Sequence, residues 1–293
     1  MSQQEQHLAR IEALIEALPY IQEYRGKTVV IKYGGSAMED DHIVERMLRD
    51  VVFLEAVGIN PVVIHGGGKA ITLKMRDAGL KAQFVNGLRV TNETAIRIVE
   101  EVLDKEINPK IVATLNEFGG KAVGISGKDV IKAEKLPPQV EGKTAAVDLG
   151  FVGEAVGVEL KKIQQALADE KTPIISPIAQ DDEGVALNVN ADIAAGAIAA
   201  ALKASKLIYL SDVLGIMRDP REKDSLIPSI TSEMIETLIE DEVIEGGMIP
   251  KVRSAVDALG KGVGKVHLID GRIAHSLLLE IFTNSGVGTE ITN

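Results

Sequence analysis

Lys32, Asp192 and Lys251 are the residues whose types and surroundings could do chemistry together. Lys32 interrupts the apolar run TVVIKY and directly precedes glycines in IKYGGS, residues 31–36. Lys251 closes EGGMIPK, residues 245–251, four residues after Gly247. A cation inside an apolar strand has lost much of its hydration and needs an anionic partner. Asp192 in NVNAD, residues 188–192, is the candidate, because a carboxylate between two ammonium groups can hold them in place while a ligand is absent. With a polyanion bound, the same two cations can neutralise phosphate oxygens. The competing readings make both lysines solvated surface charges and make Asn190 or Asp192 a helix N-cap. Cap and ion-pair roles are compatible.

Three glycine clusters accompany these residues: IKYGGS, then VIHGGGK at 63–69, then EGGMIPK. Glycines between a strand and a helix let main-chain amides approach an anion, and the helix N-terminus adds partial positive charge. Taken singly, each cluster is equally well a tight turn. Their joint occurrence points to a polyanion. Neither common nucleotide fingerprint is present, since Lys69 is followed by Ala70 and no GxGxxG follows a strand. GKGVGK at 260–265 follows a helical pattern and precedes a strand, the wrong order for a dinucleotide site, which weakens a nicotinamide-dependent dehydrogenase. The five histidines, His7, His42, His65, His267 and His275, are scattered, and HExxH and GxSxG motifs are missing. His65 reads as a packing or loop-bonding residue. Phosphoryl transfer depends mainly on positioning and charge neutralisation, and a carboxylate acceptor is already an anionic nucleophile that needs no base.

These residues need a scaffold, and 293 residues with 45% hydrophobic content can bury a large core. No cysteine occurs, so disulfides and thiolate metal sites are excluded. A net charge of −11, four tyrosines, five phenylalanines and no tryptophan argue against a nucleic-acid binder. Residues 1–18 carry Glu5, Arg10, Glu12 and Glu16, which suit neither a signal peptide nor a membrane span, so a cytoplasmic location is expected. Leu8, Ile11, Leu14, Ile15 and Leu18 give this segment an apolar helical stripe, predicted to stop near Pro19. Apolar strands then alternate with helical patterns: strand 28–33, helix 40–57, strand 61–65, helix 70–78. The stretches 83–91 and 121–157 read as hairpins capping one end of a sheet. Alternation resumes with strand 173–177, helix 191–203, strand 206–211, helices 232–239 and 248–259, and a last βαβ-like unit over 265–292. The pattern is that of an α/β chain with a mainly parallel sheet and helices on both faces. Its boundaries divide it into a helical extension at 1–24, one lobe at 25–180 and a second at 181–293.

Several ordered motifs go further: KYGGSAM at 32–38, GINPVVIHGGG at 58–68, NGLRVT at 86–91, NVNAD, SDVLGI at 211–216, GGMIPK at 246–251 and LLEIFTNSGVGTEI at 278–291. End to end, the chain closely resembles the amino-acid kinase family, and within it the kinases of arginine biosynthesis that act on N-acetyl-L-glutamate. The resemblance implies a three-layer αβα sandwich, with the acceptor handled by the N-terminal lobe and ATP by the C-terminal lobe. It implies that Lys32 and Lys251 stabilise the charge shared between leaving and attacking oxygens and that Asp192 orients them. By the same resemblance, Gly67 and Gly68 offer amides to the acceptor, Arg89 grips its α-carboxylate, and Asn188 also contacts it. Nucleotide contacts map onto Gly34, Gly35, Asp212, Val213, Leu214, Gly215, Ile216, Met217, Val243, Ile244 and Glu245. Magnesium is implied as an ion held mainly by ATP phosphates, with no protein ligand assigned. Relatives often read HGGGPQI where this chain has HGGGKAI, so Lys69 and Ala70 put acceptor affinity in question. The N-terminal helix resembles the extension of arginine-sensitive members, which links dimers into a hexameric ring and shapes an inhibitory arginine site. Competing readings are a kinase of the same fold acting on carbamate, aspartate, glutamate or UMP, with NGLRVT as the discriminator, or a silent arginine sensor that binds a PII-like protein. Lys32, Asp192 and Lys251 together argue against silence.

Overall fold

The central strands bury both of their faces. In β1 (Thr28–Tyr33) every residue after Thr28 is buried, and β2 (Asn60–His65) repeats the pattern. Runs of this kind belong in the middle of a parallel sheet covered by helices on each side. The computed structural model describes residues 2–38, 40–140, 146–219, 221–283 and 286–293.

Helix α1 (Gln3–Tyr24) opens the chain with a capping box, in which Ser2 and Glu5 satisfy each other's main-chain N–H groups. It does not stop at Pro19 but runs through it to Tyr24. Proline removes one helical hydrogen bond, and the turn beyond it is anchored because Tyr24 is buried and Tyr20 packs into the same apolar cluster. Helices α2 (Asp41–Ala56) and α3 (Gly68–Asp77) follow β1 and β2 respectively, and the hairpin of β3 (Phe84–Val85) and β4 (Leu88–Arg89) comes next. Then α4 (Glu93–Glu100) passes through a π-helical stretch, Glu101–Ile107, into α5 (Asn108–Glu117). The remainder runs β5 (Ala122–Ile125), β6 (Ile131–Lys135), β7 (Val152–Val158), α6 (Lys161–Ala168), β8 (Thr172–Ile175), β9 (Ile178–Gln180), β10 (Ala186–Val189), α7 (Ala191–Leu202) and β11 (Lys206–Ser211). Last come β12 (Ser229–Thr231), α8 (Met234–Glu240), α9 (Met248–Gly260), β13 (Lys265–Asp270), α10 (Ser276–Phe282) and β14 (Thr289–Thr292).

Eight strands form the main sheet in the order β12-β14-β13-β11-β1-β2-β8-β5, parallel except where β14 runs against β13. The C-terminal unit is therefore not βαβ. After α10 the chain comes back alongside β13 and pairs with it antiparallel, Val266 opposite Ile291 and Leu268 opposite Thr289. The stretch 121–157 is also corrected, because β5 extends the main sheet at its edge while β6 and β7 close with β9 and β10 into a small barrel. Residues 141–145 of that stretch, and 284–285 of the C-terminal motif, lie outside the described residues.

Period-two alternation divides the core. Val30, Val62, Ile64, Leu207, Val266 and Leu268 face α6, α7, α8 and α9. On the opposite side, Val29, Ile31, Tyr33, Val63, Ile208 and Leu210 face the end of α1 and helices α2, α5 and α10. The result is a three-layer αβα sandwich. Among the described residues no helix is long and apolar enough to cross a membrane.

Candidate active site

Strand alternation decides where Lys32 points. Two residues on from Val30, it shares the face covered by α7 and α9. In α9, Lys251 lies on the same stripe as the buried Ala255, Ala258 and Leu259, a helical spacing that turns it inward. Helix α7 is lined with small buried residues, Ala194, Ala195, Gly196 and Ala199, which let it approach closely. A Cβ on Gly196 would stand 2.3 Å from Ser254 Oγ of α9. The N-terminus of α7 therefore reaches both lysines: Asp192 Oδ1 lies 2.9 Å from Lys32 Nζ, and Oδ2 lies 2.8 Å from Lys251 Nζ.

All three side chains are buried. Burial pushes the Asp192 carboxyl up, but the ammonium groups of Lys32 and then Lys251 overcome this and hold it at about 2. Burial lowers the proton affinity of Lys251, Asp192 opposes that, and the like charge of Lys32 adds to it. The cap belongs to Asn190, whose side chain accepts from the Asp192 and Ile193 N–H groups, so cap and ion pair fall to neighbouring residues. Two groups that the sequence reading missed brace the trio. Ser254 Oγ donates to the Asp192 carbonyl at 3.0 Å. Tyr209, in register with Lys32 on β11, bonds Ser254 Oγ at 3.0 Å and sets its ring 5.0 Å from Lys251 Nζ. Ser254 was discoverable at one helical turn from Lys251, whereas Tyr209 carried no signal before the β1–β11 pairing was known.

The first two glycine clusters meet. A Cβ on Gly34 would lie 2.8 Å from Lys32 Nζ, and one on Gly66 would lie 3.2 Å from Gly34 Cα. Glycine at both positions lets the two loops cross closely over a folded-back lysine. Gly67 rests on the π-helical stretch, since a Cβ there would meet Leu103 and Ile107 at 2.6 and 2.8 Å. Arg89 is buried, with its guanidinium bonded to the Gly68 carbonyl at 2.7 Å and to Thr72 Oγ1 at 2.8 Å, and it stacks 4.7 Å from the Phe84 ring. Burial lowers its pKa, and among the described residues no carboxylate pairs with it. Asn188 donates to Thr91 Oγ1, which donates to the Arg89 carbonyl, tying NVNAD to NGLRVT.

One cleft of about 760 Å³ collects these groups. Its lining takes in Lys32, Gly35, Gly67, Gly68, Lys69, Arg89, Asn188, Asp192 and Asp212. Gly34, Lys251, residues 213–217 and residues 243–245 are outside that lining: Gly34 lies between two lining residues, residues 213–217 follow Asp212, and Lys251 bonds Asp192, while residues 243–245 lie in the segment before α9. Ile216 and Ile244 have buried side chains, so a ligand can meet only their main chain. The lining supplies two carboxylates, Asp192 and Asp212, and the first is already shared by two ammonium groups. So thin a donor set fits a magnesium ion whose other ligands are phosphate oxygens and water.

Comparison with known proteins agrees with this geometry. The model of the amino acid kinase family matches residues 27–270. An acetylglutamate kinase from Akkermansia muciniphila is 50% identical over 97% of this chain and 96% of its own length. One from Aquifex aeolicus is 49% identical over 97% of this chain and 98% of its own. Among solved structures, an N-acetylglutamate synthase from Neisseria gonorrhoeae complexed with coenzyme A and N-acetyl-glutamate superposes with a TM-score of 0.84 at 25% identity, and this chain covers 63% of that longer protein. Because the match runs through both crossing glycine loops, the Asp192 helix and the Lys251 helix, the chain belongs to the amino acid kinase family.

Proposed function

We propose that this kinase transfers the γ-phosphoryl group of ATP to the γ-carboxylate of N-acetyl-L-glutamate, giving N-acetyl-L-glutamyl 5-phosphate for arginine biosynthesis. ATP is the co-substrate that family membership implies, and the names of the near-full-length relatives support the acceptor. One arrangement carries the reading. A buried two-lysine site lies against a cleft that also holds a buried guanidinium with no carboxylate partner among the described residues. The acceptor carboxylate attacks the γ-phosphorus as the bond to the β–γ bridging oxygen breaks, and negative charge spreads over the transferring oxygens. Lys32 and Lys251 neutralise that charge, and Asp192 keeps them apart and aimed. Arg89 takes the α-carboxylate, Asn188 and the Gly67 and Gly68 amides complete the acceptor site, and Gly34, Gly35, residues 212–217 and residues 243–245 receive the nucleotide. Magnesium, held mainly by ATP oxygens, supplies further charge neutralisation when bound. Residues 25–180 would then be the acceptor lobe and 181–293 the nucleotide lobe. A coupled assay for ADP across N-acetylglutamate, glutamate, aspartate, carbamate and UMP, with hydroxylamine trapping of the acyl phosphate, tests the reading. Turnover confined to N-acetylglutamate supports it, and preference for any other acceptor rejects it.

Regulation by arginine is the second part of the proposal. The end of α1 places buried Tyr24 5.2 Å from Lys206 Nζ, beside a buried His267–Glu280 pair at 2.6 Å, and Gly286 packs on the Glu280 carboxylate. The carboxylates there that a guanidinium ligand could meet are Glu280, Glu290 and Glu23, set against the ammonium groups of Lys206 and Lys265. Leu8, Ile11, Leu14, Ile15 and Leu18 are 44–64% exposed along α1, which supports the helix of another copy covering them in a hexamer built from three dimers. A PII-like signalling protein belongs to the same proposed control, and the cytoplasm to the same setting. A kinase rate that stays flat as arginine rises to millimolar levels would remove the regulatory part and leave the catalytic part standing.

A further inference from the structure

A buried polar chain runs beneath the acceptor loop, and phosphoryl transfer itself makes no use of it. His65, fully buried at the end of β2, places Nδ1 2.9 Å from the Gly66 carbonyl oxygen and Nε2 3.3 Å from Asn108 Nδ2. Asn108, the first residue of α5, also donates from Nδ2 to the Ile174 carbonyl at 2.8 Å. A carbonyl can only accept, so the Ile174 contact fixes which end of the Asn108 amide carries the hydrogens. The same rule at Gly66 puts the imidazole proton on Nδ1, leaving Nε2 bare to accept from Asn108. Burial lowers the imidazole to about 4, against the opposing effect of the Gly66 bond and the Asp104 charge, so the ring is neutral.

Peptide geometry carries this chain to the cleft. In a trans peptide the carbonyl of Gly66 and the N–H of Gly67 point in opposite directions. Holding the Gly66 oxygen down on His65 therefore turns the Gly67 N–H away from the buried ring, toward the cleft that Gly67 lines. The Gly66 N–H is tied to the Tyr33 carbonyl at 2.7 Å, and Leu103 and Ile107 back Gly67 from below. The widened π-helical turn that supplies those two side chains ends where Asn108 begins.

We propose that His65 and Asn108 are positioning residues for the acceptor: Asn108 selects the imidazole tautomer, and the imidazole sets the Gly66–Gly67 peptide so that its N–H meets the acceptor anion. This rests on the assignment of the Gly67 and Gly68 amides to the acceptor made above. Three readouts test it. Neutron diffraction from deuterated crystals of the full chain should show deuterium on Nδ1 of His65 and none on Nε2. His65→Asn, which keeps a donor at the δ position, should hold the acceptor KM within about threefold, while His65→Leu should raise it about tenfold or more with the ATP KM unchanged. Deuterium on Nε2, or equal losses in His65→Asn and His65→Leu, overturns the proposal. The tautomer is read without substrate, so an error in the acceptor's identity leaves that result intact and shows itself in the acceptor panel instead.

Discussion

Asp192 keeps two ammonium groups at close quarters, and that shared carboxylate decides what single substitutions should do. Lys32→Ala and Lys251→Ala each remove one cation from the transferring phosphate, so kcat should fall about 10²–10³-fold, roughly 3 kcal/mol of barrier. Calorimetric ATP affinity should change by less than about tenfold, because the loss falls mainly in the transition state. Asp192→Asn differs, since it leaves two buried ammonium groups without a counter-charge. Urea unfolding should then show a loss of about 3–5 kcal/mol, and a loss under about 1 kcal/mol would contradict the pairing. Arg89→Ala should raise the acceptor KM roughly 10- to 100-fold while kcat changes little, and unaltered acceptor dependence would displace Arg89 from the acceptor site. Much of this was legible beforehand: a lysine breaking an apolar strand demands an anion, and NVNAD supplied one. His65 was readable as a bonded histidine, but its partner Asn108 was not, because the contact spans 43 positions and no local pattern marks it.

At the scale of elements, the site depends on how closely α7 packs against α9. Gly196→Ala drives a methyl group toward Ser254 Oγ, so it should cost about 1–3 kcal/mol of stability and lower kcat by shifting Asp192 relative to Lys251. The double variant Gly196→Ala/Ser254→Ala should recover part of the stability, and a double-mutant cycle with no coupling would refute the close approach. Strand β2 contributes a pH dependence through His65, which is about 4 folded against 6.5 unfolded. The unfolded chain binds more protons between those values, so stability should fall as pH drops from 6.5 to 4, by up to roughly 1.4 kcal/mol per pH unit. His65→Asn should show a shallower fall in urea midpoint over that window. The stability due to Asp192 is lost only as pH falls from about 4 through about 2. β11 could be read directly from KLIYLS, an apolar run of strand length. The long helix from Glu93 was also open to reading, with Ala95, Ile96, Val99, Val102 and Leu103 at helical spacing, in the segment between the two stretches that read as hairpins. Continuation of α1 past Pro19 had no local signal, because its support is the burial of Tyr24.

Across the whole molecule, the ordered motifs identify the family, while the order of the strands lies beyond local reading. β1 pairs with β11, more than 170 positions away, and the barrel of β6, β7, β9 and β10 joins one local hairpin, β9 with β10, to strands that pair across longer stretches of chain. The exposed stripe on α1 leads to a test at this scale. Leu14→Glu should shift the assembly toward dimers in sedimentation and weaken arginine inhibition, with basal turnover kept within about twofold because α1 lies apart from the cleft lining. An unchanged assembly would mean that the stripe serves another purpose. The most direct measurement concerns the chemistry itself: a crystal structure with magnesium ADP, aluminium fluoride and N-acetylglutamate, in which the fluoride complex mimics the phosphoryl group in transfer. Lys32 Nζ and Lys251 Nζ should each lie about 3 Å from that group, with Asp192 still between them. Ammonium groups turned away from the fluoride complex would contradict the account.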